Sequence, residues 1–185
     1  LVNIHWKNGK MTTDLLAQDI DVIIDKVGLR GKTTENTKFL ILPTNKAGPN
    51  EVVCGEKMSR FLTLYQVKNF SEAIVLANKI QNYQGAGHSL GIHTKNEKRA
   101  HEIAMSAKTC RVIVNQAHCF ATGGFFNNGL PFSLSMGCGS WGGNSIDENL
   151  NWKHFVNKVR VVQTIEENKP SLEEIFGSYW GETSQ

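Results

Sequence analysis

Residues 61–115 read FLTLYQVKNFSEAIVLANKIQNYQGAGHSLGIHTKNEKRAHEIAMSAKTCRVIVN, and this stretch decides the fold. It opens with an extended segment, Phe61 to Val67, that has apolar residues on both faces and suits a buried strand. Ser71 can cap the helix that follows, which carries Ala73, Ile74, Leu76, Ala77 and Ile80 and ends near Tyr83, ahead of Gly85 and Gly87. Ser89 to His93 is a short strand. Asn96 caps a second helix with Ala100, Ile103, Ala104 and Ala107 on one face, and Arg111 to Asn115 is a β-branched strand. Strand, helix, strand, helix, strand with short connections predicts an α/β fold. It would be a mostly parallel open sheet with flanking helices and right-handed crossovers.

Upstream of this stretch, Thr12 or Thr13 can cap a helix in which Leu15, Leu16, Ile20, Ile23, Ile24 and Val27 recur at helical spacing until Gly28 stops it. Phe39 to Leu42 reads as a strand ended by Pro43, and Asn45 to Gly55 as loop. Downstream, Gln116 to Glu148 is rich in Gly, Asn, Ser and Phe and has little periodicity. A structureless loop beyond about 15 residues inside a compact domain is usually functional or disordered, and Phe120, Phe125, Phe126, Phe132 and Trp141 argue against disorder. Asn149 to Asn157 reads as a helix, Val159 to Ile165 as a final strand, and Ser171 to Trp180 as a helix capped by Ser171 with Glu173 and Glu174 in its first turn. There are no repeats and no linker.

The 185 residues suit one domain or part of a larger one. With 40% hydrophobic and 20% charged residues a packed core is within reach and wholesale disorder is not expected. A formal net charge of +3 is too balanced to point to nucleic acid. No apolar run approaches the roughly 18 residues needed to span a bilayer, and no membrane partner is expected. Cys54, Cys110, Cys119 and Cys138 show no CxxC or CxxH spacing, so no metal is called for; they read as reduced thiols of a cytoplasmic protein. The chain begins with Leu rather than Met, which is consistent with a piece of something longer.

Gly137-Cys-Gly-Ser-Trp-Gly142 fits the letters of G-x-G-x-x-G, but it does not leave a strand to open a helix, and Asp147 and Glu148 downstream would repel a pyrophosphate. A tight glycine loop where backbones pass closely is the plainer expectation. Glu56, just before a buried strand, can accept two hydroxyl hydrogen bonds, as a ribose diol offers, or be solvated charge. His88, between Gly87 and Ser89 at a strand mouth, can donate or accept near neutral pH beside a ligand, or be satisfied by local backbone. The adjacent His118 and Cys119 invite a Cys/His nucleophile, yet neighbours on an extended segment point to opposite sides. Aromatic walls from Phe120, Phe125 and Phe126, with donors from Gln116, His118, Thr122, Asn127 and Asn128, can form a pocket for a small polar ligand; equally, those side chains can satisfy loop backbone.

Four segments, in this order, resemble the CoA-acylating aldehyde dehydrogenases: Gly55-Glu-Lys-Met-Ser-Arg60-Phe-Leu; Tyr83-Gln-Gly-Ala-Gly-His88-Ser-Leu-Gly-Ile-His-Thr94; Arg111-Val-Ile-Val-Asn115; and Gly129-Leu-Pro-Phe-Ser-Leu-Ser-Met-Gly137-Cys-Gly-Ser-Trp-Gly-Gly-Asn144-Ser. The similarity runs from about Trp6 to about Val162, and is nearest to the succinate-semialdehyde and sulfoacetaldehyde branch. It implies an enzyme in which a cysteine thiolate attacks an aldehyde, hydride passes to the nicotinamide of NAD or NADP, and the acyl-enzyme thioester is taken by coenzyme A. It also implies that residues 1–185 are the C-terminal part of the catalytic domain, with 111–165 contributing a substrate loop and a subunit-pairing strand of a homo-oligomer. The family's nucleophile lies upstream of the matched part, so the chain alone is expected to be inactive.

By position, His88 matches the branch's active-site histidine and Glu56 the acid that holds the nicotinamide ribose. His118, Phe120 and Asn127 are the candidate substrate-binding residues, and the resemblance implies a short aldehyde with an anionic tail. Arg60, where the family usually has Pro, is a departure that bears on the Glu56 loop. The rival reading is a truncated or pseudo-enzyme chain with only a subunit-interaction role. A hydrolytic aldehyde dehydrogenase is a further alternative, which a general-base Glu upstream would reveal.

Overall fold

The structure, a computed structural model, describes residues 2–182. The chain divides into two compact units, Leu1–His154 and Phe155–Gln185.

In the first unit a single helical turn, α1 (Val2–His5), leads into a short antiparallel hairpin, β1 (Trp6–Lys7) and β2 (Lys10–Met11). The helix expected from Thr12 or Thr13 to Gly28 is broken into a 3-10 turn, Thr13–Leu15, and α2 (Ile20–Lys26). Tertiary bonds compete with it. Ala17 turns to φ 52° and donates to the Met58 carbonyl at 2.8 Å, while Ser59 Oγ donates to the Leu15 carbonyl at 2.7 Å. The termination at Gly28 is as expected, with φ 71°.

β3 (Leu40–Pro43) pairs in parallel with β4 (Phe61–Leu64), Leu40 opposite Phe61. One face of β4 carries Phe61, 2% exposed, into a core formed with Trp6, Met11, Leu15, Ile23 and Val53; the Trp6 and Phe61 rings meet edge to face at 5.8 Å. The other face is not buried in this chain: Leu62 and Leu64 are each 53% exposed, against the expectation of a strand covered on both sides.

α3 (Phe70–Tyr83) begins two residues earlier than expected, because Asn69 rather than Ser71 caps it; the Asn69 side chain accepts from the Glu72 amide at 2.9 Å. β5 (Leu90–Ile92) follows, then α4 (Glu97–Ser106), capped by Asn96 and burying Ile103. Asn78 ties the two helices, donating to the Ser106 carbonyl and accepting from the Lys108 amide. β6 (Val112–Val114) pairs in parallel with β5, and a bridge from Gly87 to Thr109 prolongs the pair at its start. The protein is thus mixed α/β with parallel pairing and, between β5 and β6, a helical crossover, but the parallel strands stand as two separate two-stranded sheets among the described residues, where one sheet was expected.

After β6 comes one helical turn, α5 (His118–Ala121), and then an irregular region broken by a 3-10 turn at Ser140–Gly142. The helix expected over Asn149 to Asn157 is reduced to a 3-10 turn, Trp152–Phe155. Asn149 is committed elsewhere, as described below.

In the second unit no strand forms at Val159 to Ile165. The segment finds no pairing partner among the described residues, and Val159, Val161, Val162 and Ile165 are all exposed. α6 (Leu172–Glu182) is the last described element and has the expected cap. Ser171 Oγ accepts from the Glu174 amide at 3.2 Å and the Glu174 carboxylate accepts from the Ser171 amide at 2.7 Å, which holds the Glu174 carboxyl below its ordinary pKa. No described helix is long and apolar enough to cross a membrane.

Candidate active site

Sequence places His88 and His118 thirty residues apart, and the fold joins them. His88 enters β5 and His118 opens α5, just past the far end of β6; α5 turns back so that the His118 ring lies over Gly91 of β5, within reach of Ser89. Ser89 stands between them. Its Oγ lies 2.6 Å from His88 Nδ1 and 2.9 Å from His118 Nε2, giving an unbroken chain from imidazole to hydroxyl to imidazole. Burial in the first place, and the nearby His88 in the second, hold the His118 pKa below the ordinary histidine value. His118 Nδ1 is buried without a partner and faces Gly91, where a Cβ would stand 2.8 Å away.

The His88 backbone is fixed from beneath by Arg111, a residue read from the sequence only as the start of a strand. The guanidinium is buried, 5% exposed, and spends its donors on oxygens alone: the His88 carbonyl at 2.6 Å, the Gly137 carbonyl at 2.6 Å and the Asn149 side chain at 3.0 Å. Asn149, fully buried, passes the connection on by donating to the Thr122 and Pro131 carbonyls, each at 2.9 Å. This Arg111–Asn149 pair holds together the mouth of β5, the glycine loop and the loop after α5. Nothing local in the sequence marks it; a single Arg opening an apolar strand was the only available sign.

The glycine loop is the close-packing feature expected for Gly137 to Gly142. A Cβ on Gly87 would overlap the Cys138 carbonyl, one on Gly137 the Ile146 carbonyl, and one on Gly142 the Cys138 side chain. The segment thus lies against the backbone just before His88.

Glu56 lies in a loop tied to the same region. Its amide donates to Gln84 Oε1 at 2.7 Å, and Gly55 is so near that a Cβ there would touch the same oxygen. Gln84 leads directly into the Gly85–His88 turn, so the Glu56 and His88 loops share one anchor. The Glu56 carboxylate is exposed and has no partner among the described residues. Arg60 reaches away, to Asp19 at 3.9 Å, and its carbonyl accepts from the Leu40 amide.

Phe120 and Asn127 line a cleft of about 280 Å³ with Asn115, Gln116, Ala117, Ala121 and Phe125. His118 is not on its lining; it faces Ser89 instead. Most of the donors expected there are spent internally. Asn128 bonds the Gln116 side chain and the Ala121 carbonyl, and Thr122 bonds the His118 carbonyl. No Lys or Arg lines the cleft. Cys119 is exposed and Cys54 buried; burial raises the Cys110 thiol pKa.

No family model matches the chain. Over 177 residues, 96% of the chain, it is 38% identical to an acylating sulfoacetaldehyde dehydrogenase of Cupriavidus necator, and over 173 residues 38% identical to an acetylating succinate-semialdehyde dehydrogenase of Clostridium kluyveri. An acetylating aldehyde dehydrogenase from Geobacillus thermoglucosidasius superposes with a TM-score of 0.79 at 28% identity, covering 92% of this chain and 37% of that one. The chain belongs to the CoA-acylating aldehyde dehydrogenase family. It spans little more than a third of the length of these relatives, 36% of the first and 38% of the second. As an acylating aldehyde dehydrogenase segment, it has its His88–Ser89–His118 chain and its Glu56 loop in one unit, joined through Gln84 and the Gly85–His88 turn.

Proposed function

We propose that this chain is part of an NAD(P)-dependent, CoA-acylating aldehyde dehydrogenase that converts a short aldehyde with an anionic tail, such as succinate semialdehyde or sulfoacetaldehyde, to its acyl-CoA. The observation that carries the proposal is the joining of His88 to Ser89 and His118 along the start of β5, near a loop whose carboxylate is free. His88 supplies a positioned imidazole at the reacting carbon's oxygen. The nucleophilic thiolate comes from outside residues 1–185, in line with four cysteines none of which bonds a histidine among the described residues.

The dinucleotide fits the residues present. An exposed carboxylate on a loop pinned at Gly55 and Gln84 is the acceptor that a ribose diol requires, so Glu56 would hold NAD or NADP by its ribose. When bound, the dinucleotide supplies the hydride acceptor and coenzyme A the thiol that receives the acyl group. Phe120 and Asn127 border the aldehyde, with Phe120 excluding water from one side. The anionic tail is supported by the sulfonate and carboxylate in the names of the two relatives rather than by the cleft, whose lining is neutral. The Val159–Ile165 segment, exposed and unpaired, is the proposed strand through which subunits join; Val161→Pro should lower the oligomeric mass of the enzyme in light scattering.

The test compares catalytic efficiency of the full-length enzyme for acetaldehyde, butyraldehyde, succinate semialdehyde and sulfoacetaldehyde with CoA. Preference for the two anions is expected, and preference for an uncharged aldehyde overturns the substrate class. Residues 1–185 purified alone should form no NADH; CoA-dependent NADH formation lost on mutating one of Cys54, Cys110, Cys119 or Cys138 would defeat the placement of the nucleophile.

A further inference from the structure

The buried, unpartnered Nδ1 of His118 bears on the whole hydrogen-bond chain. Neutral imidazole carries one N–H and one bare nitrogen. A proton on Nδ1 would be a buried donor with no acceptor, walled off by Gly91; a bare Nδ1 leaves only a lone pair unsatisfied, the less demanding of the two. The proton of His118 therefore belongs on Nε2, where Ser89 Oγ is 2.9 Å away to accept it. Ser89, having accepted from His118, has its own hydroxyl proton left for His88 Nδ1 at 2.6 Å. His88 then accepts at Nδ1 and carries its proton on Nε2, the nitrogen that Ser89 does not hold. Burial of His118, which favours its neutral form, keeps a single proton on that ring.

We propose that the buried end of His118 sets the direction of the His118–Ser89–His88 chain and holds His88 in its Nε2–H form, so that His88 acts as a hydrogen-bond donor to the carbonyl oxygen of the substrate rather than as a base. His88 is the catalytic residue; Ser89 and His118 are positioning residues. The proposal deepens the acylating aldehyde dehydrogenase reading and rests on it for the identity of the oxygen. The tautomer itself depends only on this chain's own geometry. The Arg111 bond to the His88 carbonyl and the Gly87 amide bond to the Lys108 carbonyl pin the backbone on both sides, so the ring cannot escape Ser89 by a shift of the strand end.

The experiment labels the histidines of the full-length enzyme with nitrogen-15 and reads the ring nitrogens by NMR at neutral pH, with His88→Gln and His118→Gln used to assign the signals. Both rings are expected wholly in the Nε2–H form. In Ser89→Ala the Nδ1–H form of His88 should appear, and Ser89→Thr, which keeps the hydroxyl, should restore the wild-type pattern. A proton on His118 Nδ1 in the wild type, or an unchanged His88 in Ser89→Ala, overturns the proposal.

In kinetics, kcat should fall by about tenfold or more in Ser89→Ala with the aldehyde KM unchanged, and recover in Ser89→Thr. A fall that Thr does not rescue overturns the positioning role. An enzyme with no CoA-dependent aldehyde oxidation would defeat the proposed function, while the tautomer measurements would still decide the hydrogen-bond direction.

Discussion

The two halves of the first unit are held by different forces. Around Trp6, Leu15, Ile23 and Phe61 the chain is fixed by apolar side chains converging on one core. Between Gly85 and Asn149 the apolar contribution is thin, and the aromatics Phe120, Phe126 and Phe132 stay exposed. There a buried guanidinium, a buried amide and closely packed glycines fix the backbone instead. Apolar burial is non-directional and tolerates small shifts, whereas hydrogen bonds to carbonyls specify a position to a few tenths of an ångström. The half that carries the candidate site is the one built from directional contacts.

Four substitutions or conditions can break or sharpen that contrast. Phe61→Ala should cost about 3–5 kcal/mol in denaturant unfolding, since it empties the centre of the apolar half; hydrogen exchange should show the loss first at residues 6–64. Asn149→Ala leaves Arg111 Nε and the Thr122 and Pro131 carbonyls without partners, at roughly 1–3 kcal/mol per buried group and not fully additive. A total of about 2–4 kcal/mol is expected, with exchange protection lost at residues 87–149 and kept around Trp6. Equal loss in both halves would mean that they are one cooperative unit.

Gly91→Ala should cost less than about 1 kcal/mol in stability, because the new methyl meets only the movable His118 ring. It should nevertheless break the Ser89–His118 bond and lower turnover, a dissociation of stability from activity that the apolar half should not show. The smallest effect is that of pH. The folded-state pKa of His118 is lowered, so below about pH 6.5 the unfolded chain takes up a proton that the folded chain refuses. Stability should therefore be full above that value and decline as pH falls from about 6.5 towards the folded pKa. His118→Gln should flatten this part of the melting-temperature profile.

Much of this was legible beforehand, for reasons that differ from residue to residue. The helices at Ala73 to Tyr83 and Ala100 to Ala107 follow from 3.6-residue periodicity, and the parallel pairing of β5 with β6 from the short connections around the second helix; β4 and β5, on either side of the first, do not pair. Gly137 to Gly142 announced close backbone approach, since nothing but glycine fits there. The helix expected through Ala17 failed because the Met58 carbonyl, forty-one residues away, claims the Ala17 amide. The helix expected from Asn149 failed because its side chain is drawn inward by Arg111 and two carbonyls. Neither partner is visible from the local sequence.

The sequence by itself determined the α/β alternation, the family resemblance and the candidacy of His88 and Glu56, because these rest on local spacing and on residue types in order. Only the tertiary structure decided that His118 faces Ser89 rather than the Phe120 cleft, that Gln84 anchors the Glu56 loop beside His88, and that Arg111 and Asn149 hold the site from beneath. Hydrogen bonds form wherever the fold brings donor and acceptor within about 3 Å. Their partners here lie 28, 29 and 38 residues apart in sequence, where no periodicity reaches.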